Sequence, residues 1–126
     1  MVLSGAASAL AVLVGTRWLR RVQVSGPSML PTLQDGDRLL VRVCRRLRVG
    51  DVVVIHDPDE PARLVVKRVA AISDEGITVL GDNAAASRDS RTYGPVQRQL
   101  VFGRAWWRYY PLERSQRMAR RAPDAA

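Results

Sequence analysis

Histidine, cysteine and lysine each occur once in this sequence of 126 residues, and those three scarcities restrict its chemistry more than anything it is rich in. A single cysteine, Cys44, excludes an internal disulfide framework and any cysteine-cluster zinc or iron–sulfur site, while leaving the redox compartment open. Metal chemistry is not expected. The lone histidine, His56, would have to serve any serine–histidine arrangement by itself. The basic side chains are nineteen arginines and one lysine, Lys67. A guanidinium does not give up its proton in proteins, so only Lys67 could act as a lysine base.

Hydrophobic residues make up 47% of the chain and charged residues 25%, an ordinary globular balance that rules out collagenous, low-complexity or wholly disordered readings. The length suits one modest domain, too short to add a separate cofactor domain to a catalytic one. No cofactor is expected, and any activity must come from a compact site. The net charge of +8 fits attraction to nucleic acid or to an anionic membrane surface, and fits arginine-rich coding bias equally well, so charge alone decides little.

The stretch from Val2 to Val14 carries no charge and ends at the basic cluster Arg17-Trp18-Leu19-Arg20-Arg21. About 20 apolar residues cross a bilayer core comfortably, so this run is a marginal span. No basic residues precede it and no small-residue cleavage pattern follows it, which argues against a cleaved secretory signal. Residues 1–21 read as a short apolar helix with a basic flank, a possible membrane anchor; a helix packed on the protein's own surface is the alternative. From Val22 the texture changes to short apolar runs separated by turn residues, the punctuation of β structure. It predicts strands near Arg38 to Val43, Asp51 to Ile55, Leu64 to Ser73, Ile77 to Leu80 and Leu100 to Tyr110, broken where Gly, Pro, Asp and Asn suit turns. Residues 22–111 form the folded unit, and 112–126 a basic tail expected to be helical for a few turns or disordered.

Three segments could carry chemistry. In Gly26-Pro27-Ser28-Met29-Leu30-Pro31 the glycine and prolines leave the serine little freedom, and a nucleophile benefits from a fixed backbone whose N–H can meet an oxyanion. Taken alone, Ser28 reads as a turn serine, since serines near Gly and Pro are commonplace. In Leu64-Val65-Val66-Lys67-Arg68-Val69 the only lysine sits in an apolar strand. Burial there would lower its pKa and make it a base for a serine hydroxyl; a solvent-facing lysine on an edge strand is the plainer reading. The polar run Gly81-Asp82-Asn83-Ala84-Ala85-Ala86-Ser87-Arg88-Asp89-Ser90-Arg91 suits a long ordered loop in which Asp89 and Arg91 pair as a brace. His56 reads as an ordinary strand-end residue and Cys44 as a small packed side chain. Five of the seven aromatics lie in Phe102 to Tyr110, either a core strand or a rim at a membrane interface.

These blocks together resemble the type I signal peptidase family of serine proteases, which also includes the mitochondrial inner-membrane proteases. The matching stretches are GPSMLPTL (Gly26 to Leu33), Gly50-Asp51-Val52-Val53-Val54, Val66-Lys67-Arg68-Val69 and GDNAAASRDSR (Gly81 to Arg91) with Gly94-Pro95-Val96, all in family order. The resemblance implies a mainly β fold, a catalytic core of antiparallel sheets with a short N-terminal apolar helix. It implies that Ser28 is the nucleophile and Lys67 the general base, without cofactor or metal. It further implies that Ser87 orients the lysine amine while Asp82, Asp89 and Arg91 hold the loop. Some members carry a serine two residues before the nucleophile to help form the oxyanion hole. Here that position is Gly26, so the hole must rely mainly on backbone donors. Larger members insert an extra β domain between the lysine strand and the GDN loop, whereas here only the residues 69–80 intervene, as in the short members.

The partner so implied is a protein substrate with an N-terminal leader peptide, with membrane association and no nucleic acid. Short, arginine-rich members with a WWRYYP-like block look like the proteases that trim the leader of nickel superoxide dismutase. A general signal peptidase for secreted proteins is the second reading. An inactive basic module binding anionic lipid or nucleic acid is the third. Basic residues flanking a membrane segment tend to stay in the cytoplasm. Arg17, Arg20 and Arg21 lie on the catalytic side of the apolar run, which slightly favours the cytoplasmic face.

Overall fold

Val52-Val53-Val54-Ile55 is the most β-branched run of the chain, and it becomes a central strand buried on both faces. The computed structural model describes residues 18–44 and 46–121. Along the chain come β1 (Leu19–Gln23), β2 (Arg38–Arg42), β3 (Val52–His56), β4 (Leu64–Ser73), β5 (Gly76–Leu80), the single-turn α1 (Ser90–Tyr93), β6 (Val101–Tyr110) and β7 (Gln116–Arg117). They form one antiparallel sheet in the order β1-β2-β6-β3-β4-β5, with β7 added to β6. The expected mainly β architecture is what the described residues form.

Alternation along β3 divides the core in two. Val52 and Val54 join Val24, Met29, Leu33, Leu39, Val41, Val66 and Ala105 on one face; Val53 and Ile55 join Val69, Ile77, Val79, Val96 and Val101 on the other. Lys67 and Arg68 follow one another in β4 and are both buried, so the alternation sends two cations to opposite faces of the sheet. The strand β4 has the expected bounds Leu64–Ser73, and β2, β3, β5 and β6 lie within a residue of the expected limits. In β6, Val101, Gly103 and Ala105 are buried while Trp106 and Tyr110 are exposed, so the aromatic block is partly core and partly surface.

Two expectations need correction. The apolar helix expected over residues 1–21 does not reach Arg21, because Leu19–Gln23 is a strand paired with β2 from Leu19↔Arg42 to Gln23↔Arg38. Leu19 and Val22 are both half-buried but, three residues apart, lie on opposite faces, so no alternating pattern marks the strand and its order comes from the pairing with β2. The membrane-anchor expectation for Met1 to Gly15 lies outside the described residues; among those described, no helix is long and apolar enough to cross a membrane. The tail after Pro111 is neither a helix of several turns nor without order as far as Arg121. It makes one turn at Leu112–Arg114, pairs as β7, and returns to the sheet through Met118 N–H to Trp106 O (2.8 Å) and Arg121 N–H to Gly50 O (3.1 Å). Its arginines find buried carboxylates there: Arg120 Nε lies 2.8 Å from Asp51 and Arg121 Nη2 3.1 Å from Asp82. Gly50, at φ +96°, lets the Arg121 carbonyl approach its Cα face, where a side chain would collide.

Candidate active site

Met29 and Leu33 anchor the loop between β1 and β2 by burying completely in the core, with Leu33 N–H donating to Met29 O at 2.9 Å. Gly26, at φ +85°, turns the chain ahead of them and donates its N–H to Asp35 Oδ1 at 2.8 Å. Half-buried Ser28 therefore sits on a backbone held from both sides. The loop after β5 grips that backbone as well: Asn83 N–H donates to Ser28 O (2.9 Å) and Asn83 Nδ2 to Pro27 O (3.0 Å).

Lys67 projects from β4 on the same face as Val65 and Val69, and only 4% of it is exposed. Its Nζ donates to Ser87 Oγ at 3.1 Å, and Ser87 Oγ donates to Asp89 Oδ2 at 2.7 Å. Burial pulls the Lys67 ammonium below its ordinary pKa; Asp89 and Asp57 oppose the shift, and Arg63 and Arg91 add to it. Asp89 is fully buried, which by itself would raise its pKa. Donors from Arg91, the Gly81 N–H and Ser87 outweigh that and hold the carboxyl well below the usual range. Arg91 supplies Nη2 at 2.6 Å and Nε at 3.0 Å, and Gly81 N–H lies at 2.8 Å. Asp89 also caps α1, accepting from the Arg91 N–H at 3.1 Å.

Arg68, on the opposite face, ties the three segments together. Its Nη2 lies 2.7 Å from Asp82 Oδ2, both side chains being buried, and Asp82 also accepts from Thr32 Oγ1 at 2.5 Å. Burial raises the Asp82 carboxyl, but the bonds from Arg68 and Thr32 outweigh it and leave the carboxyl below its ordinary value. The serine loop, the lysine strand and the GDN loop thus share one buried ion pair. At Gly81 a side chain would run into both the Ser87 side chain and the Ser28 carbonyl, so this crossing requires glycine.

Ser28 and Lys67 line one cleft of about 360 Å³, together with Gly26, Val65, Val66 and Ala86. Asp57, Arg63, Arg88 and Tyr93 line its polar end, and none of them stands out in the sequence as a site residue. Arg88 pairs with Asp59, approaches Asp57 at 3.8 Å and lies over the Tyr93 ring at 5.5 Å. Burial, with Asp89 and Asp57 nearby, pushes the Tyr93 phenol up to about 12. Arg68 carried a sequence signal: an arginine beside an inward-facing position in an apolar strand needs an acid, and the GDN loop offers one. His56 lines a different cavity with Cys44 and Phe102; its Nδ1 is 2.8 Å from Pro61 O and its ring meets Phe102 edge-on. Cys44 is half-buried with a free thiol.

A family model described as signal peptidase, peptidase S26, matches residues 1–79 and 72–110. The mitochondrial ATP-independent inner membrane protease subunit 1b of Arabidopsis thaliana is 35% identical over 115 residues, covering 70% of this chain and 68% of the relative. Mitochondrial inner membrane protease subunit 1 of Schizosaccharomyces pombe is 37% identical over 119 residues, with 75% and 76% covered. A probable signal peptidase I-1 of Synechocystis is 27% identical over 139 residues, with 72% and 71% covered.

Proposed function

The chain belongs to the signal peptidase family, peptidase S26, and from that premise we propose that it is a serine endopeptidase working through Ser28 and Lys67. The observation that carries the reading is the buried Lys67 amine, held 3.1 Å from Ser87 Oγ in the cleft that Ser28 lines. The single hydroxyl proton of Ser87 is committed to Asp89, so toward Lys67 that oxygen can only accept. One amine N–H is thereby fixed, and the lone pair of the neutral amine is left for the Ser28 proton.

Ser28 Oγ attacks the scissile carbonyl as its proton passes to Lys67 Nζ; the ammonium then protonates the leaving amine, and the acyl-enzyme is opened by a water that Lys67 deprotonates. The oxyanion is met by backbone donors, the Ser28 N–H foremost, because Gly26 brings no hydroxyl. The peptide docks along β4. There β5 pairs from Arg68 onward, so Leu64 to Lys67 have a sheet partner, β3, on one edge only. An extended leader segment can add to the other edge beside Ser28. Ser87 aims the Lys67 amine directly, while Asp82, Asp89 and Arg91 hold these groups in place without touching the reacting atoms.

The substrate is a protein carrying an N-terminal leader, and the leader of nickel superoxide dismutase is the first candidate. Support comes from the short link of residues 69–80 between the lysine strand and the GDN loop, the arginine richness and the block Trp106-Trp107-Arg108-Tyr109-Tyr110-Pro111. General removal of secretory leaders is the second reading, favoured by the relative named as a probable signal peptidase I-1. Relatives named as inner membrane proteases, with the uncharged Val2 to Val14 stretch, support membrane association through the N-terminal segment. Intact-mass analysis of the nickel superoxide dismutase precursor, coexpressed with and without this protein, tests the substrate. Loss of the leader only in its presence is expected, and an unprocessed precursor in both cultures rejects that substrate.

A further inference from the structure

On the far side of the lysine strand's ion pair, Arg42, Arg46, Arg48, Arg104 and Arg120 surround a cavity of about 450 Å³, with Cys44 in its wall. No acid among the described residues lines this cavity, and Asp51, which touches two of its lining residues, is already used: it takes Arg120 Nε at 2.8 Å and the Arg48 N–H at 2.8 Å. Among the described residues, Arg42, Arg46, Arg48 and Arg104 form no ion pair with a carboxylate. Arg42 and Arg104 are moreover directly opposite one another in the β2–β6 ladder, where like charges destabilise a sheet. Arg42, Arg46, Arg48 and Arg120 are exposed and Arg104 is half-buried, so an anion entering the cavity from solvent meets several guanidinium groups at once. Planar guanidinium forks match phosphate oxygens in pairs.

The surroundings indicate which anion. Trp18, 59% exposed, accepts through its carbonyl from the Val43 N–H (2.7 Å), one residue from Arg42, and lies within the basic flank of the uncharged Val2 to Val14 stretch. A second cavity shares Arg104 and Arg120 and is walled by Trp106, itself 37% exposed. Exposed tryptophans beside arginines are the side chains that settle at the headgroup level of a bilayer. We propose that the five-arginine cavity binds the phosphate of an anionic phospholipid headgroup, with Trp18 and Trp106 against the glycerol and upper acyl region. The site does not depend on the reading of Ser28 and Lys67.

Full-length protein in an uncharged detergent, titrated with dihexanoyl phosphatidylglycerol, dihexanoyl phosphatidylcholine or inorganic phosphate, tests this through tryptophan fluorescence and thermal unfolding. Phosphatidylglycerol is expected to bind roughly tenfold or more tighter than either alternative, since a basic group near an anionic lipid contributes about fivefold. Arg42→Gln/Arg104→Gln should lose that preference while unfolding no earlier than wild type, because it also relieves a cross-strand repulsion. Arg21→Gln/Arg98→Gln removes equal charge elsewhere and should keep the preference. Equal binding of both lipids, or equal losses in the two double variants, would overturn the proposal. So would inorganic phosphate binding as tightly as phosphatidylglycerol, or a short DNA duplex binding more tightly than either, since the site would then serve a free anion or a nucleic acid.

Discussion

Lys67 Nζ donates to Ser87 Oγ at 3.1 Å, while the same hydroxyl donates to the fully buried carboxylate of Asp89 at 2.7 Å. The lysine is thus aimed by a hydroxyl whose direction is set by an anion fixed in its turn by Arg91 and the Gly81 N–H. Ser87→Ala should lower kcat by roughly 10- to 100-fold, the cost of a misdirected catalytic group, with little change in KM. Asp89 keeps its other donors, so the unfolding midpoint should hardly move. Steady-state kinetics with thermal unfolding separates this from a structural defect, which would lower the midpoint together with the rate.

The pH dependence follows from the direction of the Lys67 shift. Only the neutral amine is a base, so kcat/KM should climb with pH and level off below the ordinary lysine value of 10.5. For stability, the folded state sheds this proton more readily than the unfolded chain. The group therefore costs stability at neutral pH, and the cost disappears as pH rises through the window from the depressed folded value to 10.5. Lys67→Met should raise the unfolding midpoint at neutral pH while abolishing cleavage. A rate maximum near pH 5 in the profile would exclude a lysine base.

Gly81→Ala places a methyl against the Ser87 side chain and the Ser28 carbonyl together. Relief moves the orienting hydroxyl or the serine backbone, so activity should fall by roughly 100-fold, against a stability loss of about 1–3 kcal/mol from overpacking. Kinetics and urea unfolding on the same preparation give both values.

Asp82 and Asp89 both have carboxyl pKa values below the ordinary 3.8. Depressed acids contribute stability that is fully present above the unfolded value and is lost as pH falls through the folded one, so acid unfolding should begin below about pH 4. Asp82→Asn should remove that acid sensitivity in part and cost about 3 kcal/mol, because it leaves Arg68 buried without its partner. Chemical unfolding of both proteins from neutral to acid pH tests the pair.

The strands β2 to β6 are legible in the sequence because β-branched runs end at Gly, Asp and Pro turns, signals that are local. Leu19–Gln23 and Gln116–Arg117 are not, since their order comes from partners distant in sequence: β2 for the first, and β6 with the carboxylates of Asp51 and Asp82 for the segment around the second. Ser28, Lys67, Ser87, Asp82, Asp89 and Arg91 stand in recognisable motifs of the chain, and they lie around one cleft and its supporting loop. Asp57, Arg63, Arg88 and Tyr93 carry no such mark of their roles, because only folding brings the turn after β3 against the GDN loop.

Single-turnover cleavage of a leader peptide by Ser28→Ala, Lys67→Arg and His56→Ala, each checked for an unchanged unfolding transition, tests the Ser28–Lys67 assignment most directly. Arginine keeps a long cationic side chain at position 67 but cannot become neutral, and alanine removes the attacking oxygen, so both variants should lose roughly 1,000-fold or more in rate. His56→Ala, which alters a separate cavity, should turn over as wild type does. Wild-type rates in Lys67→Arg or Ser28→Ala, or a loss confined to His56→Ala, would contradict the account.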